Sequence, residues 1–199
     1  LQAERLVQLW PDLTGGLNLD ARFNPGEKTL GWTLDSPGVA WLDLRAAQIE
    51  STGRANWGEQ ESVDARINAQ DVDLNPWERL DQVEVTLVGN CASHLLTAYF
   101  SGTRATLDLG LGGELPGCLA RADDWTGNIR RMVISDTPLG TWQLDENLPV
   151  RVQEGVVRAG PACLWTPGGT GRLCLNELEG GATGNAAVAY AAYCARAGI

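Results

Sequence analysis

ATLDLGL, Ala105 to Leu111, sets Leu107, Leu109 and Leu111 at every second position with Asp108 and Gly110 between them. Successive side chains of an extended strand point to opposite faces, so this stretch reads as a strand with one apolar and one wet side. The same reading fits Thr29 to Leu34, with Leu30, Trp32 and Leu34 in phase, and Val63 to Ala69. It also fits Val83 to Leu87, with Val83, Val85 and Leu87 in phase, and Trp142 to Leu144, where Trp142 and Leu144 share a side. Strand after strand, the chain builds a surface that is greasy on one side and wet on the other. That surface, rather than any catalytic cluster, is the candidate for function.

Polar breaks with Pro and Gly separate the strands: Asn24-Pro25-Gly26, Ser36-Pro37-Gly38, Asn75-Pro76, Leu115-Pro116-Gly117, Thr137-Pro138 and Pro167-Gly168-Gly169. They read as turns of a β-meander. The opening LQAERLVQLWPDLTG carries Leu6, Leu9 and Trp10 at helical spacing and closes at Pro11, which predicts a short N-terminal helical turn. The tail GATGNAAVAYAAYCARAGI is rich in the helix former Ala, yet its alternation permits a final strand. The fold class is therefore all-β, and residues 1–199 read as one segment. A meander of this length closes into a barrel, pairs as a sandwich, or folds its sheet over to shield the apolar face, and periodicity alone does not choose among these.

Composition narrows the function. With 24 Gly and 8 Trp and a hydrophobic content of 44%, the chain suits short strands and turns rather than a helical bundle. A net charge of -10 argues against nucleic acid, whose affinity rests on Lys and Arg neutralising phosphates, and against docking on an anionic membrane face. Five cysteines with no CxxC pair and a single histidine fit an oxidising compartment better than a zinc site. Cys163 and Cys174 flank the turn at Pro167 to Gly171, so a disulfide is expected to join them across one hairpin, with Cys91–Cys118 as a weaker second pairing. There is no signal peptide, no long apolar run and no initiator Met, so the chain reads as a piece of a longer protein whose membrane anchor lies outside it.

No group of residues reads as an enzyme centre, a cofactor site or a metal site. His94 has no catalytic partner in the sequence, and Ser93 beside it lacks the glycine-flanked elbow of a hydrolase. Asp71 with Asp73, Asp123 with Asp124, and Glu59 with Glu61 read as solvated faces or turns, since none has calcium-loop spacing. Gly112-Gly113 and Gly168-Gly169 read as turns, because no helix pattern follows to cradle a phosphate. Trp32, Trp57, Trp125 and Trp142 read as core or lining residues rather than sugar-stacking platforms, since Trp32 and Trp142 alternate in phase with Leu.

Three segments, in order, resemble the family of the translocation and assembly module subunit TamB, within the AsmA-like, bridge-like lipid-transfer group. LWPDLTGGLNLDARFNPG (Leu9 to Gly26) is similar to the family's unit of leucine-tryptophan-proline, glycine and alternating strand. In GNCASHLLTAYFSG, Gly89 and His94 match a Gly-x4-His strand entry. WTGNIRRMVISDTPLGTWQLDENLPVRV from Trp125, followed by ACLW and GRLCL, resembles its paired Trp strands and the Cys-Leu and Leu-Cys pair after them. The resemblance implies an internal segment of a long periplasmic protein held in the inner membrane by an anchor elsewhere in the parent chain. It implies an elongated folded-over sheet, an open trough of β-taco type, that carries phospholipid acyl chains between inner and outer membranes. The groove lining is then Leu30, Trp32, Leu34, Val83, Val85, Leu87, Leu107, Leu109, Leu111, Trp142 and Leu144. The partners are the acyl chains, the remainder of the parent chain and an outer-membrane barrel, TamA. An alternative role is a scaffold for outer-membrane protein assembly with that barrel, through free β-edges that template pairing.

Overall fold

The computed structural model describes residues 2–3, 13–42, 44–58, 61–74, 78–115, 124–168, 171–181 and 186–194. Among the described residues all regular structure is strand, as period-two alternation predicts, and the ladders described below are antiparallel. Gln2–Ala3 is a strand; residues 4–12, on which most of the helical reading of the N-terminus falls, lie outside the described residues. The chain divides into two compact units, Leu1–Asn90 with Leu96–Thr106, and Cys91–Leu95 with Leu107–Ile199.

The first unit contains β1 (Gln2–Ala3), β2 (Leu13–Gly15), β3 (Leu17–Asn24), β4 (Thr29–Ser36), β5 (Val39–Trp41), β6 (Leu44–Asn56), β7 (Ser62–Leu74), β8 (Glu78–Gly89) and most of β9 (His94–Gly102). Asn24-Pro25-Gly26 makes the turn from β3 to β4, where Asn24 Oδ1 accepts the backbone N–H groups of Gly26 and Glu27 at 3.1 and 3.3 Å. Ser36-Pro37-Gly38 behaves differently from a turn. β4 and β5 both pair with β6, Ser36 opposite Ile49 and Val39 opposite Ala46, so the chain continues in one direction across the break. Gly15 and Gly38 sit there at φ 123° and 149°. A Cβ on Gly15 would come 2.1 Å from the Gly38 carbonyl oxygen, so this close approach requires glycine.

The break in β4–β5 continues across the neighbouring strands as a crease. In β7, Asp71 adopts φ 49°, a left-handed conformation Asp tolerates, and the ladders to β6 and β8 skip it. The extra rotation resets the alternation while the register is kept, with Ala46 opposite Val72 and Gln48 opposite Gln70. Ala69 and Val72 are both buried with Ala46, and Val39, Ile49, Leu74, Leu80 and Val83 pack against them. The apolar side chains therefore stay on one side while Ala47, Gln70, Asp71, Asp81 and Gln82 are exposed.

The second unit contains β10 (Thr106–Glu114), β11 (Asp124–Thr137), β12 (Gly140–Leu144), β13 (Leu148–Gln153), β14 (Val156–Ala159), β15 (Ala162–Trp165), β16 (Arg172–Gly181) and β17 (Ala186–Cys194). The tail thus takes its strand alternative. The same device recurs. β11 pairs with β13 from Asp124 to Ile129 and with β12 from Val133, and the exposed pair Arg130-Arg131 lies between half-buried Ile129 and Met132. β14 and β15 both pair with β16, Ala159 opposite Leu178 and Ala162 opposite Leu175, and Gly160-Pro161 spans the break opposite the exposed Asn176 and Glu177. Gly160 has φ 123°, and a Cβ there would meet the Asn176 carbonyl oxygen at 2.6 Å.

Candidate functional site

Directly opposed residues of an antiparallel pair share a face, so the registers assemble the apolar side of the first unit. Leu30, Trp32 and Leu34 stand opposite Phe23, Ala21 and Leu19 on β3, and opposite Ala55, Gly53 and Ser51 on β6. Those β6 residues stand opposite Val63, Ala65 and Ile67 on β7, and Ala65, Ile67 and Ala69 stand opposite Leu87, Val85 and Val83 on β8. The six expected lining residues of this unit lie on one face. Ala21, Ile67 and the residues of β6 join them there; short or polar side chains at Ala55, Gly53 and Ser51 hid β6 from an alternation search.

In the second unit, Trp142 stands opposite Ile134, and Leu144 opposite Leu164, which stands opposite Leu173. Leu107, Leu109 and Leu111 share parity with Gly113, which lies beneath the Trp125 ring. On the other side of β10, Asp108 accepts a 2.6 Å hydrogen bond from Arg131.

These faces are not packed away. Among the described residues the buried apolar side chains are Ala46, Ala69, Val72, Ala98, Leu148 and Ala159, four of them alanines. The larger apolar side chains of these faces remain half-exposed, and Ile67 and Leu173 keep 42% and 37% of their surface in contact with solvent.

Three tryptophans, Trp32, Trp125 and Trp142, lie on glycines. Trp32 covers Gly53, its cross-strand partner, and donates its indole N–H to Ser51 Oγ at 3.1 Å. Trp125 covers Gly113 and Gly127 and donates to His94 Nε2 at 2.6 Å. The only histidine of the chain thus serves as an acceptor that fixes a ring. Trp142 reaches over Gly171, and Trp57 stacks on Phe23 with ring centroids 5.6 Å apart. Gly112 and Gly113, expected in a turn, are interior residues of β10, because Trp125 and the Arg130 guanidinium occupy the space a side chain there would need.

The opposite faces carry charge. Arg79 pairs with Asp71 at 2.8 Å at the crease of the first unit, and this hydrogen bond, reinforced by the Asp71 charge, raises the guanidinium above its ordinary pKa. In the second unit Arg172 pairs with Asp145 at 2.8 Å and Arg158 with Glu179 at 2.9 Å, and Glu179 raises Arg158 in the same way. Cys163 and Cys174, directly opposite on β15 and β16, are joined with an S–S distance of 2.07 Å on the side away from Leu164 and Leu173. Cys91 is also disulfide-bonded, while Cys118 lies outside the described residues. Asp123 and Glu59 lie outside them too. Among the described residues no three His, Cys, Asp or Glu side chains gather as a metal site, and no helix is long and apolar enough to cross a membrane.

Creased antiparallel sheets with a half-exposed apolar face, a charged back and ring-on-glycine contacts define an all-β protein with broad apolar surfaces. The sequence matches the TamB N-terminal domain family over residues 1–193, and the chain belongs to that family. The family is a transport and assembly component of the cell envelope that works with TamA, as part of a larger chain. Neither the curated proteins nor the solved structures contain a significant match.

Proposed function

We propose that the chain is a periplasmic section of a lipid conduit, holding phospholipid acyl chains against its apolar faces on their way between inner and outer membranes. The observation that supports this most is the half-exposed face of Leu30, Trp32, Leu34, Val83, Val85 and Leu87, where an ordinary domain would place its dry core. Each methylene that leaves water for such a face gains up to about 0.8 kcal/mol, so a chain only half engaged is held by several kcal/mol. An apolar face that continues from strand to strand lets the chain move without re-entering water. The head group stays in solvent at an open seam, which suits a net charge of -10 without a basic cage for phosphate. In this reading residues 1–199 are one section of a longer open, folded-over trough, and the creases are where the sheet bends round its apolar side.

Lipid extraction from the purified full-length protein, followed by mass analysis, tests the reading. Bound phospholipid supports the conduit. Empty protein that instead retains an outer-membrane-protein strand contradicts it and favours the assembly scaffold.

A further inference from the structure

We infer that the tryptophan–glycine pairs set the clearance of the apolar face, each indole being laid flat so that an extended acyl chain passes over it. This rests on the lipid-carrying reading and adds which residues set the depth of the groove.

Trp32 and Gly53 show the device most fully. A Cβ on Gly53 would lie 2.2 Å from Trp32 Cζ2 and 2.5 Å from Cη2, so the six-membered ring occupies the space a side chain would take. Gly53 is paired on both sides, opposite Trp32 and Ala65, and no turn requires glycine there. Glycine inside a strand costs about 0.5–1 kcal/mol and marks a close approach by another group. Here those groups are the indole and, 2.8 Å from the same Cβ position, the Asp64 carbonyl oxygen; the indole makes the closer approach.

A second constraint holds the ring down. Its N–H is satisfied sideways by Ser51 Oγ at 3.1 Å, so the exposed surface of the ring is carbon. An upright indole would project well above Leu30 and Leu34 and leave its N–H in the acyl path. The arrangement recurs in the second unit with different partners. Cβ atoms on Gly113 and Gly127 would come 2.3 and 2.4 Å from Trp125, whose N–H is held by His94 Nε2 at 2.6 Å. At Trp142, a Cβ on Gly171 would lie 3.0 Å from Cη2. A broad ring kept low supplies apolar area without a step in the floor, and this is what a sliding hydrocarbon chain needs.

The experiment places a photo-cross-linking residue at Ile67, on the same face, in the full-length protein in cells, and measures captured phospholipid. Gly53→Val is expected to lower capture about tenfold, equivalent to losing roughly two methylene contacts, and Gly53→Val with Trp32→Leu to recover part of that loss, the Asp64 carbonyl contact remaining. Should the valine chain be degraded, Gly53→Ala is read in its place, with a smaller loss and the same rescue. Capture at the unaltered level in folded Gly53→Val protein, or a loss that Trp32→Leu leaves wholly unchanged, overturns the inference. Absence of phospholipid at Ile67 in protein with Gly53 and Trp32 intact overturns the lipid reading itself, independently of the pair.

Discussion

Ala69 and Val72 stand three residues apart on one strand, yet both are buried in the same cluster with Ala46. Strict alternation would send them to opposite faces. Asp71, at φ 49°, turns the strand between them. On β7 the crease and the continuity of the apolar face thus meet at one left-handed residue, placed where the neighbouring strands reset as well.

Asp71→Val should destabilise the first unit by about 1–2 kcal/mol, because a β-branched residue at positive φ is strained. Asp71→Asn, which tolerates that conformation, should be close to neutral. Urea unfolding of the two variants checks the difference, and equal midpoints would contradict the strain account.

The Arg79–Asp71 pair on the charged back is expected to matter little, since both side chains are more than half exposed. Arg79→Gln should leave the unfolding midpoint almost unchanged, and any small effect should vanish near about 1 M salt. The raised guanidinium pKa carries a sign. Its contribution is complete below the ordinary arginine range and is lost only as pH rises through the raised folded value, so no arginine-linked fall in stability is expected between about pH 6 and 9.

Trp125 and His94 should be energetically coupled. A double-mutant cycle with Trp125→Phe and His94→Ala is expected to give a coupling of about 1 kcal/mol, the worth of one part-buried hydrogen bond. Strict additivity would mean that His94 does not hold the ring.

Replacing Cys163 and Cys174 by Ser should cost roughly 2–3 kcal/mol by the loop-entropy model, given their separation of 11 residues. Bound lipid should be unchanged, because the bridge lies on the face away from Leu164 and Leu173. Non-reducing peptide mapping of material from an oxidising compartment should find the two peptides linked.

The strands and their greasy sides were legible in the sequence wherever alternation ran unbroken, as at Leu30-Trp32-Leu34 and Leu107-Leu109-Leu111. The creases were not, although they leave a mark. Ala69-Gln70-Asp71-Val72, Leu80-Asp81-Gln82-Val83, Ile129-Arg130-Arg131-Met132 and Leu175-Asn176-Glu177-Leu178 each place two polar residues between apolar ones inside a strand. A period-two search discards such a pattern as a strand end, whereas a crease that leaves the register between strands unchanged accommodates it. Ser36-Pro37-Gly38 resembled a turn for the same reason, since Pro and Gly interrupt a ladder whether or not the chain reverses. Gly53 beneath Trp32 was beyond sequence reading, because their contact depends on a register between strands that alternation does not fix.

If the proposed conduit runs over the Leu107, Leu109 and Leu111 face, Leu109→Asp in the full-length protein is expected to impede phospholipid passage at near-normal expression, because a charge on an apolar path raises a barrier for acyl chains while solvent hydrates it at rest. Thr52→Asp, on the polar side of the first unit, should have no effect on transport.

The central claim is tested most directly by photo-cross-linkers at Val85 and Glu84, neighbours on β8 that point to opposite sides. In the full-length protein in cells, phospholipid captured at Val85 and not at Glu84 is the predicted result. Equal capture at both positions, or polypeptide without lipid at Val85, would contradict a conduit on the apolar face.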